Sequence, residues 1–181
     1  MAMSTLDDFL AKKRDFLHGV MSTPPEEAEP LTLTASVSVR GATGVRVIKV
    51  RHFEMLNDTA LDLAGYDFGP NSPEHALVAL GGCVAHTAEA VAALMELSID
   101  TIEVEVAAEA HPLAKTPGFE DVPLEPHNLR YVLKIGSKEP KAQIEALHAQ
   151  ILAICPVVNL IRNPQNIAAE LVFVKSEPHT A

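Results

Sequence analysis

The chain of 181 residues has few aromatic and few basic residues. Phe, Tyr and Trp together make up 4% of the sequence and Trp is absent, so the core must be built from aliphatic side chains. Lys and Arg number 14 against 24 Asp and Glu, which gives a formal net charge of −10. A protein this acidic is repelled by other polyanions. The charge therefore argues against nucleic acid and against an anionic membrane surface as partners.

Sorting signals and long hydrophobic runs are also lacking. Residues 1–19 mix acidic, basic and apolar side chains and have no apolar h-region of a signal peptide. No later apolar run reaches the length that spans a bilayer. We therefore expect a cytoplasmic protein without a membrane partner. In that reducing compartment Cys83 and Cys155, the two cysteines, are expected to be free thiols, a transient redox couple or unrelated core residues.

The common signatures of metal and nucleotide sites are absent as well. The sequence contains eight histidines, but it has no HExxH, no CxxC and no close pairing of Cys with His. A P-loop, a GxGxxG after a strand and a GxSxG elbow are also missing. We therefore expect neither a metal ion nor another cofactor.

Hydrophobic periodicity predicts an N-terminal helix and five strands. Apolar residues at helical spacing predict a helix over residues 5–19. The Pro- and Glu-rich segment 20–30 predicts a linker. The helix is therefore expected either to pack on another subunit or to lie loosely as an appendage. Period-two alternation predicts strands. Their ranges are 31–40 and 45–53, which form a hairpin around RGATG, then 99–111, 127–137 and 167–175.

A long helix is predicted over residues 73–97. Pro73 suits the first helical turn, Ser72 suits the N-cap, and Glu74 lies favourably at the positive end of the helix dipole. Its apolar residues cover every face, which is typical of a buried helix, so other parts of the structure must enclose it.

A second long helix is predicted over residues 139–154. It ends at Cys155 because a residue before proline disfavours the helical conformation, and Pro156 can open the next turn. The order of elements predicts an α+β fold in which antiparallel β-sheets wrap around two long buried helices. Residues 1–30 form the appendage and residues 31–181 form one domain.

Each cysteine is consistent with a reactive thiol and with an inert core residue. Helical amides after Cys155 would lower its pKa, yet a cysteine in an apolar segment is more often a small core side chain. Cys83 follows Gly81 and Gly82 inside a helix, where each glycine costs about 1 kcal/mol relative to alanine. Either a second helix or a substrate must therefore approach closely, and the residues alone leave these alternatives open.

Two segments together resemble a known family. GYDFGPNSPEHALVALGGCVAHT (65–87), followed far downstream by AICPVVNLIRN (153–163), resembles the OsmC/Ohr family, the osmotically inducible and organic hydroperoxide resistance proteins. The resemblance covers roughly residues 31–175. It implies a thiol-dependent peroxidase of the oxidative stress response, which reduces organic hydroperoxides to alcohols and is reset by an unidentified thiol or dithiol reductant.

The resemblance also implies roles for individual residues. Cys83 corresponds to the peroxidatic cysteine, Cys155 to the resolving cysteine and Glu74 to the carboxylate that pairs with a catalytic arginine. Arg40, near the first hairpin turn, is the candidate arginine, and Arg46 is the alternative because the turn length differs from the family pattern. A sulfenic acid at Cys83 would condense with Cys155 into a disulfide. The spacing from Glu74 to Cys83 is one residue shorter than in the hydroperoxide resistance branch.

Helix geometry predicts a second copy of the chain at the site. At about 100° and 1.5 Å per residue, Glu74 and Cys83 lie half a turn apart around the helix and about 13 Å apart along it. Glu74 can therefore serve Cys83 only across an interface, and the all-round apolar helix also needs a partner. Both features predict an intertwined homodimer with active sites at the interface.

The competing hypothesis is a non-catalytic OsmC-like protein that binds a small apolar ligand or has a structural role in stress. Convergence of Cys83, Cys155 and an arginine in one pocket would favour the enzyme. An arginine that points to solvent would favour the binding protein.

Overall fold

The computed structural model describes residues 5–175, which form four α-helices and five β-strands in two antiparallel sheets. The helices are α1 Leu6–Met21, α2 Ser72–Leu94, α3 Lys141–Ile154 and α4 Pro156–Arg162. The strands are β1 Ser36–Val39, β2 Arg46–Val50, β3 Phe53–Asn57, β4 Thr101–Glu109 and β5 His127–Gly136. The predicted α+β class with antiparallel sheets is confirmed.

The first sheet has three strands in the order β1-β2-β3. Arg46 of β2 lies opposite Val39 on one side and Asn57 on the other. The strand predicted over 45–53 is therefore too long: the chain reverses after Val50, where Arg51 has φ 53°, and a third strand follows. Residues 31–35, which were predicted to open the first strand, are not part of it.

The second sheet is a hairpin of two long strands that carries one side of the core. Thr101 of β4 lies opposite Gly136 of β5, and the register shifts once, between Ala107 and Glu109. Alternate residues of both strands pack against the core cluster. This alternation is what a sheet with one covered face requires, and it confirms the two strands predicted here.

A capping box starts α2 at Asn71. The Asn71 side chain accepts a hydrogen bond from the Glu74 N–H (3.0 Å), and the Glu74 carboxylate accepts one from the Asn71 N–H (2.7 Å). These two bonds satisfy amides that have no partner in the first turn. The predicted N-cap, Ser72, is wrong by one residue, because Ser72 is already helical.

The core lies along one side of α2. Seven α2 residues are buried, and they contact α3, α4 and the β4–β5 sheet through the fully buried Leu147, Ile151, Cys155 and Ile99. The opposite side of the helix is open in a single chain, and Val78 is 64% exposed there. The enclosure that the apolar sequence demands is therefore incomplete within one chain.

By length and composition alone, α2 could cross a membrane, and so could α3 and α4 if taken as one bent span. The expectation that no later run reaches spanning length is therefore wrong. The packing of α2 against β4, α1, α3 and α4 marks it as a core helix of a folded domain.

The N-terminal helix packs on α2 of its own chain, so the prediction that it lies loosely as an appendage is wrong. Leu10 is buried in the common core, and Lys13 forms an ion pair with Glu89 of α2 (2.5 Å). Asp7 accepts hydrogen bonds from the Ser98 hydroxyl (2.6 Å) and the Ile99 N–H (2.9 Å). These contacts fasten α1 to the segment that follows α2.

The segment 167–175 is not a strand, although the sequence was expected to form one there. No sheet edge within residues 5–175 pairs with it, and its large apolar side chains, Ile167, Leu171, Val172, Phe173 and Val174, are exposed. A strand exists only where a neighbouring backbone satisfies its N–H and C=O groups. The apolar composition of this segment is therefore not enough to make it a strand. The segment would also need the edge of a neighbouring strand to pair with.

Asp7→Asn is expected to loosen α1 at neutral pH and to have less effect in acid. The hydrogen bond from Ser98, followed by that from Ile99, lowers the pKa of Asp7 below its ordinary value of 3.8. A lowered pKa contributes stability above the unfolded-state pKa, and this contribution is lost as the pH falls through the folded-state pKa. At pH 7 the variant should unfold at a lower urea concentration than the wild type. This difference between the two midpoints should become smaller below about pH 4.

Asp15→Asn is the matched control, because Asp15 lies exposed on the same helix. Equal midpoints for wild type and Asp7→Asn at pH 7 would contradict the anchoring role of Asp7.

Candidate functional site

The two cysteines lie side by side, although they are 72 residues apart in sequence. Their sulfur atoms are 3.4 Å apart and share a hydrogen bond, and both thiols are free. Cys155 is fully buried and Cys83 is half-buried. This distance is a contact between thiols that a small movement would turn into a covalent bond.

The position of each sulfur follows from the local backbone, which is a helix at Cys83 and a break before proline at Cys155. Cys155 has extended dihedral angles (φ −63°, ψ 118°) because Pro156 follows it, and the chain bends by 57° there between α3 and α4. Cys83 lies in the middle of α2, on the side that α3 and α4 cover. The bend thus points the Cys155 sulfur back at the long helix.

The two glycines before Cys83 meet different surroundings. A Cβ atom at Gly81 would lie 3.0 Å from a methyl carbon of Val106, so β4 explains the first glycine. A Cβ atom at Gly82 would meet nothing within 4 Å. The sequence predicted the close approach of a second helix or of a substrate; at Gly81 a strand approaches instead, and at Gly82 the space is open in a single chain.

The two thiols differ in acidity. Burial raises the pKa of the Cys83 thiol above its ordinary value, against weaker hydrogen bonds from the Val157 N–H and the Thr87 hydroxyl. Burial acts in the same direction on Cys155. There, however, hydrogen bonds from the Val158 N–H, from Cys83 and from Thr87 outweigh it, and the pKa falls below its ordinary value. Within one chain the pKa values of the two thiols are therefore shifted in opposite directions.

Thr87 is a site residue that the sequence interpretation missed. It is buried, and its hydroxyl acts to lower the pKa of both thiols. The available signal was its position four residues after Cys83, which puts both side chains on one face of a helix whose other core positions are apolar.

The predicted glutamate and arginines do not reach the thiols within one chain. Glu74 is exposed and caps α2. Arg40 is exposed at the β1–β2 turn, and Arg46 hydrogen-bonds to the side chains of Asn57 and Thr59. Among residues 5–175 no arginine side chain is hydrogen-bonded to either sulfur. The structure thus brings the two cysteines together and leaves the three charged candidates apart from them.

A mostly apolar cavity of about 160 Å³ lies among α2, β5 and α4, and neither cysteine is one of its lining residues. It is lined by Leu80, Leu129, Tyr131, Val158, Ile161 and Arg162. Burial, followed by the nearby Cys155, raises the pKa of Tyr131, and Arg162 opposes this shift. The Tyr131 hydroxyl lies 2.9 Å from Nε2 of His148. In residues 5–175 no three His, Cys, Asp or Glu side chains are placed to share a metal ion.

Solved structures with the same fold come from several bacteria. An OsmC-like protein from Mycoplasma pneumoniae matches with a TM-score of 0.64 at 13% identity, over 74% of this chain and 89% of that chain. An organic hydroperoxide resistance protein OsmC from Legionella pneumophila matches with a TM-score of 0.54 at 17% identity, over 75% and 92%. At these identities the likeness establishes the fold alone.

A third neighbour has a ligand in its active site. It is a putative organic hydroperoxide resistance protein from Vibrio cholerae with captopril bound in one of its active sites, and it matches with a TM-score of 0.54 at 17% identity, over 75% of this chain and 87% of that chain. No curated protein sequence matches this chain.

The family match in sequence covers most of the folded domain. The sequence model of the family described as OsmC-like protein matches residues 64–170 of this chain. These residues include α2, both cysteines and the segment between them. The match begins after the first sheet, so Arg40 and Arg46 lie outside it. By this match and by its fold, the chain belongs to the OsmC-like family.

Proposed function

We propose that the protein is a thiol-dependent peroxidase that reduces organic hydroperoxides to alcohols through Cys83 and Cys155. The observation that carries this proposal is the 3.4 Å approach of two free thiols, one of which is fully buried in the core. Membership of a family that includes organic hydroperoxide resistance proteins supports the substrate class. The mostly apolar cavity among α2, β5 and α4 suits an apolar organic group, since each buried methylene contributes about 0.8 kcal/mol.

The first half of the cycle oxidises Cys83. Its thiolate attacks the terminal oxygen of the hydroperoxide, so that an S–O bond forms and the O–O bond breaks. Sulfur loses two electrons and becomes a sulfenic acid, and the alkoxide that leaves takes up a proton to become the alcohol. Cys83 suits this role because it is the more exposed of the two thiols.

The second half of the cycle forms the disulfide. The Cys155 thiolate attacks the sulfenic sulfur, an S–S bond forms, and the S–O bond breaks with release of hydroxide, which is protonated to water. The lowered pKa of Cys155 favours this attack. A dithiol reductant then returns two electrons and two protons. In a reducing compartment such as the cytoplasm, each cycle starts from the dithiol.

The proposal includes a homodimer in which the second copy completes the site. Arg40, or alternatively Arg46, would come from the partner to stabilise the Cys83 thiolate, with Glu74 holding the guanidinium. Three features support a second copy: the open side of α2, the exposed apolar segment 167–175, and the exposure of β1 along its whole length. Together they leave more apolar surface uncovered than a stable single chain usually exposes.

Gly82→Leu is expected to separate the two copies while leaving each chain folded. Gly82 has open space in the single chain, and leucine is a better helix former than glycine by about 1 kcal/mol. If a partner packs against this open side of α2, the added side chain will keep it away. Sedimentation should shift from about twice the 19.4 kDa of one chain toward the single-chain mass.

Gly19→Leu is the matched control, because Gly19 also lies in a helix with nothing within 4 Å. It should leave the assembly intact. A wild-type protein that sediments at 19.4 kDa would contradict the shared site altogether.

Stopped-flow oxidation of the reduced protein tests the enzymatic proposal. Addition of an organic hydroperoxide such as cumene hydroperoxide should consume both thiols and release one alcohol per pair. Hydrogen peroxide should react more slowly, because it has no apolar group to bury in the cavity.

A non-catalytic protein that binds small apolar ligands is the second candidate. Two observations favour it: burial raises the pKa of Cys83, and Arg40 is exposed in the single chain. Slow consumption of hydroperoxide, equal for wild type and Cys83→Ser, would support this candidate against the peroxidase.

A further inference from the structure

Two cavities lie next to each other along β5, and the side chain of Tyr131 lines both of them. The smaller is the mostly apolar cavity of about 160 Å³ among α2, β5 and α4. The larger has a volume of about 350 Å³ and lies between β5 and α3, with Leu133, Ile135 and Ile144 as its apolar lining. Because one side chain belongs to both linings, Tyr131 is the wall that separates the two cavities.

The alternation of β5 gives the two cavities together the shape of a straight groove. Leu129 and Tyr131 line the smaller cavity, and Tyr131, Leu133 and Ile135 line the larger one. Every second residue of a strand lies on the same face, and the strand rises by about 3.3 Å per residue. The row from Leu129 to Ile135 therefore extends over about 20 Å. A groove of this shape suits an unbranched chain, provided that Tyr131 does not block it.

A hydrogen bond across the groove holds Tyr131 in its blocking position. The Tyr131 hydroxyl lies 2.9 Å from Nε2 of His148, which belongs to α3 and also lines the larger cavity. The two rings meet edge to face, with their centroids 5.9 Å apart and an angle of 83° between their planes. The contact ties a β5 side chain to α3, so the tyrosine ring is fixed where the two cavities meet.

The smaller cavity is the one that lies beside the elements of the dithiol. Its lining includes Leu80, three residues before Cys83 on α2, and Val158, three residues after Cys155 on α4. Residues three positions apart are neighbours on the surface of a helix. The lining of the larger cavity contains no residue of α2 or α4. A hydroperoxide that reacts at Cys83 therefore meets the smaller cavity first, and its organic group ends at Tyr131.

We propose that Tyr131 is a specificity-determining residue, which closes the smaller cavity and restricts the substrate to hydroperoxides with a compact organic group. His148 is a positioning residue that acts through Tyr131. This inference rests on the proposed peroxidase function. Removal of the ring joins the two cavities, so that a straight chain can extend along β5 into the larger one. The bonds made and broken at the thiols stay the same.

Cumene hydroperoxide and 1-octyl hydroperoxide test this role, because they are similar in size but one is compact and the other is straight. Stopped-flow mixing with reduced protein gives a second-order rate constant for each. In Tyr131→Ala the ratio of the octyl to the cumene rate constant should rise by about tenfold, since a well-fitted methylene is worth about tenfold or more in a hydrophobic pocket. His148→Ala should raise the ratio by a smaller factor, and His148→Gln, whose amide can hydrogen-bond to the hydroxyl, should restore it.

Val132→Ala is the matched control, because Val132 lies on the opposite, exposed face of β5. It should leave the ratio of the two rate constants at the wild-type value.

Tyrosine fluorescence supplies a measurement that needs no peroxide chemistry. The chain has no Trp and two Tyr, and Tyr66 lines neither cavity, so Tyr66→Phe leaves Tyr131 as the sole emitter. The product alcohols serve as probes. We expect 2-phenyl-2-propanol to change the emission at a lower concentration than 1-octanol. In a Tyr66→Phe, His148→Ala protein the concentration of 1-octanol that is needed should fall.

The two measurements separate the role of Tyr131 from the peroxidase. Selective binding of the compact alcohol by a protein that never reduces either hydroperoxide would support the role of Tyr131 and overturn the peroxidase. Rapid reduction with an unchanged ratio of rate constants in both Tyr131→Ala and His148→Ala would overturn the role of Tyr131. If circular dichroism shows that Tyr131→Ala does not fold, Tyr131→Leu replaces it with the same direction of change, and an unchanged ratio then overturns the proposal.

Discussion

Cys83→Ser is expected to lower the rate of organic hydroperoxide reduction by at least about 10³-fold, because a serine hydroxyl is not ionised at neutral pH and is a far weaker nucleophile than a thiolate. Cys155→Ser should behave differently. It should react with one equivalent of hydroperoxide and then stop, since the sulfenic acid at Cys83 has no second sulfur within reach. Stopped-flow mixing of the reduced proteins with cumene hydroperoxide measures the rate for each variant. Trapping with dimedone then detects the sulfenic acid that Cys155→Ser should accumulate.

The roles of the two cysteines are tested by the same pair of variants. The lower pKa of Cys155 makes it the more acidic thiol within one chain, while Cys83 is the more accessible. If Cys155→Ser loses the first reaction and Cys83→Ser keeps it, the peroxidatic and resolving roles are exchanged. Proteins that carry either substitution should keep the wild-type circular dichroism spectrum, because serine differs from cysteine by one atom.

Oxidation of the dithiol is expected to stabilise the protein by about 4 kcal/mol. A disulfide between residues 72 positions apart closes a long loop in the unfolded chain and removes its conformational entropy, and in the chain-entropy model this contributes between about 3 and 5 kcal/mol. For a chain of this length, the midpoint of thermal unfolding should rise by about 10 °C. Thermal scans of protein treated with diamide and of protein treated with dithiothreitol measure the difference, and a thiol assay confirms that both cysteines have reacted.

Cys155→Ser treated with the same oxidant is the control, and its midpoint should stay the same. An oxidised wild-type protein that unfolds at or below the midpoint of the reduced protein would mean that the two sulfurs cannot join without distorting the helices. That result would count against a disulfide as an intermediate of the cycle.

Local signals predicted the helices well. The start of α2 was placed within one residue, because Pro73, Glu74 and a preceding polar side chain are helix-start signals that act through neighbouring atoms. The break at Cys155 followed from Pro156 for the same reason. The choice of Asn71 over Ser72 as N-cap depended on which side chain reaches the Glu74 amide, and either residue type can do so.

The strands were predicted less well, because a strand depends on its partners. The hydrophobic pattern predicted a single strand over residues 45–53, yet the chain reverses after Val50. Residues 167–175 were also predicted to form a strand, and they pair with no strand in the described chain. The N-terminal helix was expected to lie apart from the domain, but Asp7 and Leu10 join it to the core through residues some ninety positions away.

The amino-acid sequence by itself determined that this is an α+β chain with an apolar central helix, a cysteine on that helix and a second cysteine at a proline break, because these features depend on neighbouring residues. Only the tertiary structure decided that the two sulfurs touch, and that Cys155 is fully buried while Cys83 is half-buried. Those properties depend on distances between α2 and the α3–α4 bend, and packing of residues distant in sequence sets those distances.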